Sequence, residues 1–270
     1  MKKLYLDTNV FSCLRPGSNS RIPALEAETI IELFENRYII AFSPAHLEDI
    51  AASAIRDGTR CEIIRDEIRF LTKIAKNHSL RPTCPEKLEV FYDEEPIECY
   101  RRVISEYYKN DIAEENEEKM LKDANLNPLS SPKQMNNIDA EEILRNRKYR
   151  RHISAEMLRR KLLKDEYEMI RSLSWCFNDI KDRFYILESY VELASNLLEK
   201  IGFHREKCEK YRSRFYDVSH IIYASYCDAF MSADKKLVKK ARAIYSMLCV
   251  PANVILFSDF RKIWMYSHSL

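Results

Sequence analysis

"LYLDTNVFSC" (Leu4–Cys13) decides the fold. Leu4, Tyr5 and Leu6 are apolar or aromatic and read as a short, fully buried strand, and Val10 and Phe11 resume the same chemistry. Between them stands Asp7. Burying a carboxylate costs several kcal/mol unless a positive or hydrogen-bonding group meets it. An aspartate after a strand is also a common helix cap. The apolar strand before Asp7 and the polar Asn9 after it favour a functional carboxylate at a strand end.

Working outward, a loop carrying Pro16 and Gly17 is expected next, then a helix over "PALEAETIIELFENR" (23–37). "YIIAF" (38–42) is an uninterrupted β-branched and aromatic run that suits a central parallel strand. Ser43 and Pro44 mark the next helix start, a hydroxyl cap followed by proline at the first helical position. Strand alternating with helix is the pattern of a parallel α/β sheet. The tail returns to it: "YDVSHIIYASYC" (216–227) is helical, "AFMS" (229–232) a strand, "KKLVKKARAIYSML" (235–248) a basic amphipathic helix and "NVILF" (253–257) a last strand. The middle offers little strand and several amphipathic helical stretches: 65–77, 95–124, 140–173 and 182–202. Breaks fall at Pro82 and Pro85, at 127–137 and around Trp175 to Asp179. The expected architecture is a discontinuous α/β domain, 1–60 with 209–270, interrupted by a mostly helical insertion over 61–208.

Composition agrees. Only three glycines occur in 270 residues, too few for a turn-rich all-β fold. A net charge of +2 leaves any nucleic-acid contact to a local patch. Eight cysteines without a C-x-x-C pair argue against a zinc site and for reduced thiols, mostly buried. With no export signal and no apolar run of about 18 residues, a cytoplasmic protein without membrane contact is expected.

Ligands of parallel sheets bind at the carboxyl ends of the strands, and the acids lie there. Asp7 follows the first strand, Glu48 lies one turn into the helix after the second, Asp217 opens the helix before "AFMS", and Asp234 follows "AFMS". Asp49, next to Glu48, is placed to serve as well. Each alone reads equally as a solvated or capping residue; together they make a cluster whose like charges raise one another's pKa. A hard cation resolves this, and Mg2+ or Mn2+ fits carboxylate and water ligation. Such ions activate water for in-line displacement at phosphorus.

These stretches resemble the PIN-domain family of metal-dependent ribonucleases, which includes many bacterial toxins of toxin–antitoxin pairs. "LYLDTNV" resembles its first motif, "SPAHLEDIA" its second, and "YDVSHIIYASYCDAFMSADKKL" its third and fourth. The resemblance covers both ends of the chain, under half of it. It implies a three-layer α/β/α fold with a short parallel sheet. It also implies Asp7, Glu48, Asp217 and Asp234 as catalytic metal ligands, with Thr8, Asn9 and Ser232 supporting them and Asp228 at the periphery. Metal-activated water would hydrolyse RNA phosphodiester bonds, and an antitoxin or other regulatory protein and a second copy of the chain are the further partners implied.

For gripping RNA, Lys235, Lys236 and Lys239 adjoin the acids, and Arg147, Arg150 and Arg151 lie in the densest basic run (145–164). That run reads equally well as a solvated helix face. His220, one turn after Asp217, reads as a packed or hydrogen-bonded histidine more readily than as a ligand, since hard-cation sites prefer oxygen. A haloacid-dehalogenase-type phosphatase wants an acid where Asn9 stands, and no Gly-rich loop supports a dinucleotide site. The non-enzymatic alternative is a catalytically inactive scaffold that docks RNA or protein through the insertion.

Overall fold

Apolar runs become strands where both of their faces are covered, and the computed structural model, which describes residues 1–17, 22–57, 61–84, 87–91, 93–107, 128–207 and 211–268, shows where that happens. Among the described residues the strands are β1 (Lys2–Leu6), β2 (Tyr38–Ala41), β3 (Ser79–Cys84), β4 (Lys87–Phe91), β5 (Ala229–Ser232) and β6 (Asn253–Leu256). Four make a wholly parallel sheet in the order β2-β1-β5-β6, with Tyr5 opposite both Ala41 and Phe230. Side chains alternate between two cores. Leu4, Leu6, Ile40 and Met231 enter one, and Tyr5, Ala41 and Phe230 the other. The protein is thus a mixed α/β fold built on a parallel sheet.

The helices are α1 (Thr8–Leu14), α2 (Ala24–Arg37), α3 (Pro44–Asp57), α4 (Cys61–Ala75), α5 (Pro96–Tyr107), α6 (Pro132–Met135), α7 (Ala140–Ile143), α8 (Arg147–Arg159), α9 (Glu166–Ser172), α10 (Phe177–Ile180), α11 (Phe184–Ile201), α12 (Tyr211–Ala224), α13 (Lys235–Leu248) and α14 (Phe257–His268). Residues from α1 to α5 and α14 fill the core on the Leu4 side; α7, α8, α11, α12 and α13 fill the one on the Tyr5 side. The segment between β2 and β5 therefore shares its apolar interior with the sheet. Among the described residues no helix is long and apolar enough to cross a membrane.

The structure departs from the sequence expectations in several places. The expected loop after β1 begins with α1, whose Val10, Phe11, Cys13 and Leu14 are buried on a helix too short to display a period. A β3–β4 hairpin stands where the insertion was expected to be helical. Pro82 is tolerated because the hairpin's register shifts between Pro82 and Cys84. Its first strand continues the sheet past β2, with the Leu80 N–H donating to the Phe42 carbonyl at 2.7 Å. The expected helix over 140–173 is broken into α7, α8 and α9 by side chains that cap: Asn146 accepts from Lys148 N–H, and Asp165 from Glu168 N–H. The break expected near Trp175 carries the single turn α10. Of the helix expected over 95–124, α5 is present and residues 108–127 lie outside the described residues. Gly202 ends α11 at φ +85°, where a Cβ would stand 3.2 Å from both Pro132 Cγ and Ser130 O.

Candidate active site

β1 ends at Leu6 and delivers Asp7 to the carboxyl edge of the sheet, 3% exposed. Asp7 precedes α1 but makes no side-chain cap. Two groups meet its carboxylate instead. The Ser232 hydroxyl, at the end of β5, donates to Oδ2 at 2.6 Å, and His220 Nε2 lies 3.6 Å from Oδ1. Burial pushes the Asp7 carboxyl above its ordinary range, against the opposing pull of His220 and Ser232.

His220, from α12, sits at the centre of the site. Nε2 is 3.0 Å from Asp49 Oδ2 and 3.2 Å from Thr8 Oγ1, and Nδ1 is 2.8 Å from Tyr5 Oη. Burial alone would lower its pKa. The Asp49 hydrogen bond and the charges of Asp7, Asp49 and Asp217 outweigh that and raise it to about 9. The ring is therefore a cation at neutral pH, donating from both nitrogens. Tyr5 passes the polar chain on to Ser43 Oγ at 2.7 Å. Beyond it, His46 accepts the Ser43 N–H at Nδ1 and donates from Nε2 to the Leu6 carbonyl at 2.7 Å. Burial and then His220 hold His46 neutral, with its pKa lowered to about 3. Two buried imidazoles, their ring centroids 4.9 Å apart, thus differ in protonation, one cationic and one neutral.

Asp7, Asp49 and His220 place one ligand atom each within 4.8 Å of one another. Glu48 is not among them. On α3 the two neighbouring acids point about 100° apart. Asp49 turns to His220, and Glu48 contributes its charge at Tyr223, one turn further along α12. Of the two neighbouring acids it is Asp49, not Glu48, that joins Asp7 and His220 in this close group.

Asp217 lies in the middle of α12, not at its start, so it has no capping role. Burial pushes its carboxyl well above the ordinary range; Lys240 opposes that, and the charges of Asp7 and Asp234 add to it. It therefore belongs to the same field of charge. Asp234 borders the site, but its Oδ1 accepts the Lys236 and Leu237 N–H groups at 2.7 and 3.2 Å, capping α13. Among the described residues neither joins the close three-residue group. Asn9 and Ser232 do hold the edge together: Asn9 Oδ1 accepts the Ala233 N–H at 2.8 Å and Ser232 Oγ accepts the Asp234 N–H at 3.0 Å. Asp228 is elsewhere, at the opposite end of β5, where it accepts the Lys3 N–H at 2.6 Å.

The basic residues divide too. Lys236 Nζ donates to the Arg205 carbonyl and pairs with Glu206 at 3.1 Å. Lys235 and Lys239 lie near His204, whose pKa is lowered by burial and then by the charges of Lys239, Lys240, Lys235 and Lys236. Lys240, which the sequence places on a basic face, is 2% exposed and pairs with Glu199 at 2.6 Å. Arg147, Arg150 and Arg151 are on α8. Arg150 Nη2 donates to the Met247 carbonyl at 2.7 Å, at the far end of α13, about 20 Å from the Asp234 cap by helix rise. The α8 run therefore lies at the other end of α13 from the acids. Beside Thr8 a small recess opens among Phe11, His46, Ile50 and Phe70, flanked by the Arg15–Glu67 ion pair at 3.0 Å.

The fold and site define a parallel α/β protein with a buried, mixed carboxylate–imidazole group at the carboxyl ends of its central strands. Comparison with known proteins finds no family model, no curated protein and no solved structure that matches the chain.

Proposed function

We propose that the chain is a divalent-metal-dependent ribonuclease that hydrolyses RNA phosphodiester bonds at the Asp7 site. The observation that carries this reading is the convergence of Asp7, Asp49 and His220, from three separate elements, within 4.8 Å at the carboxyl edge of a parallel sheet. The donor set fits a divalent ion that displaces the Nε2 proton of His220: two carboxylate oxygens and an imidazole nitrogen, with the Asp217 carboxyl in the same field of charge. Mn2+ or Mg2+ bound there would supply Lewis acidity toward a phosphoryl oxygen and the attacking water. The chain's own residues do the rest. Ser232 and Asn9 fix the carboxyl edge of β5 against α1, Tyr5 fixes the plane of His220, and Lys235 and Lys239 offer cations for the phosphates that flank the scissile bond. Burial of both sheet faces in separate cores supports a three-layer α/β/α arrangement of the PIN type.

A second reading has its own observation. His220 already serves Asp7 and Asp49 as an internal cation, and Asp234 already serves α13 as a cap, so the site is electrostatically tolerable as it stands. A catalytically inactive scaffold would keep that arrangement. Incubating single-stranded and structured RNAs with the protein in Mn2+, in Mg2+ and in EDTA separates the two. The nuclease reading expects cleavage that chelation stops and that Asp7→Asn and Asp49→Asn abolish while the fold is retained by circular dichroism. RNA left intact in both metals, or cleavage undiminished in both variants, refutes it.

A further inference from the structure

Far from the acidic site, the α10 turn meets the end of α13. Arg150 Nη2 donates at once to the Trp175 carbonyl at 3.3 Å and to the Met247 carbonyl at 2.7 Å. Those two carbonyl oxygens are therefore at most about 6 Å apart. Each is followed closely by a cysteine. Cys176 is the N-cap of α10, its N–H held by Asp179 Oδ2 at 2.7 Å, and Cys249 is the C-cap of α13 in the left-handed conformation, φ 52°. The two side chains are close enough for the Cys249 thiol to act on that of Cys176. Cys249 is exposed and Cys176 half-buried, so a small reagent reaches Cys249 first.

We propose that Cys176 and Cys249 form a redox-responsive pair that a low-molecular-weight disulfide such as oxidised glutathione closes into a disulfide bond, stapling the α10 turn to the end of α13. The step is thiol–disulfide exchange. The Cys249 thiolate attacks one sulfur of the small disulfide, forms a mixed disulfide and releases one small thiolate. The Cys176 thiolate then attacks the Cys249 sulfur and releases the second. The two cysteines lose two electrons, the small disulfide gains them, and the two cysteine protons end on the two small thiols. Burial, followed by the adjacent Cys249, holds the Cys176 thiol above its ordinary range, so its attack relies on the proximity that the second, intramolecular step supplies. Access separates the pair from Cys13, Cys99 and Cys227, which are buried; Cys61, at the start of α4, is exposed like Cys249 and should take up glutathione as well.

The test is to equilibrate the full-length protein with oxidised glutathione and to map its peptides by mass spectrometry without reduction. The wild type is expected to yield a Cys176–Cys249 linked peptide pair. The linked form should melt about 5–10 °C higher, since the bond closes a loop of about seventy residues. Cys176→Ser should stop at a stable mixed disulfide on Cys249, and Cys249→Ser should leave Cys176 unmodified. A wild type that holds glutathione on Cys249 without the link, or that joins Cys249 to any other cysteine, overturns the pairing. An unchanged melting point in the linked form overturns the staple.

Discussion

Replacing His220 with glutamine removes the cationic ring that lies between Asp7 and Asp49, and the effect can be sized. An ordinary histidine titrates near 6.5, and His220 is raised to about 9. At about 1.4 kcal/mol per pH unit, that interval is linked to about 3 kcal/mol of folding stability. The sign is set by proton uptake. The folded state holds the proton more tightly, so the contribution is complete below 6.5 and is lost as pH climbs from 6.5 through about 9. His46 acts in the opposite sense, because its folded value of about 3 lies below the unfolded one: its contribution is complete above 6.5 and drains away as pH falls toward 3. The sum of these two contributions is therefore largest near pH 6.5. Urea unfolding in EDTA, followed by circular dichroism at intervals up to pH 9, should show the wild type losing about 3 kcal/mol across the alkaline limb. His220→Gln should start lower and stay nearly flat there, while keeping the acid limb that belongs to His46. An alkaline loss of equal size in both proteins would show that His220 does not bridge Asp7 and Asp49 as a cation.

Tyr5→Phe takes the hydroxyl from between Ser43 and His220, leaving two buried polar groups short of a partner, and should cost about 1–3 kcal/mol by urea denaturation. Lys240→Met strands the buried Glu199 carboxylate and should cost about 3–5 kcal/mol, most of it recovered when Glu199→Leu is added, as a double-mutant cycle would record. Asp234→Ala removes the cap of α13 and should cost about 0.5–2 kcal/mol in chemical unfolding without EDTA-dependent change. Millimolar Mn2+ should raise the thermal midpoint of the wild type, and Asp7→Asn or Asp49→Asn should remove that rise in differential scanning fluorimetry.

The sheet was legible because parallel strands covered on both faces read as unbroken apolar runs, and all four occur where such runs stand. Asp7 was legible for the same reason: a charge that ends an apolar run is conspicuous. Other features depend on quantities that composition does not carry. Glu48 and Asp49 differ only in helix phase, and the usable signal was His46, which shares a face with Asp49 three residues on. Lys240 carries the same kind of signal, standing in register with the buried Leu237, Ala241 and Ile244. The hairpin was hidden by Pro82, which marks a break unless the partner strand is known. The role of His220 depends on neighbours more than 170 positions away along the chain, so no local pattern announces its charge.

The pairing of β1 with β5 places side by side two segments that are synthesised far apart in time. At about 5–20 residues per second, the first strand leaves the ribosome on the order of ten to forty seconds before its central neighbour exists. Until then Tyr5 and Leu6 lack half of their cover, and Asp7 has neither Ser232 nor His220 beside it. The pocket is consequently incomplete in nascent chains and in truncation products that stop short of Ser232.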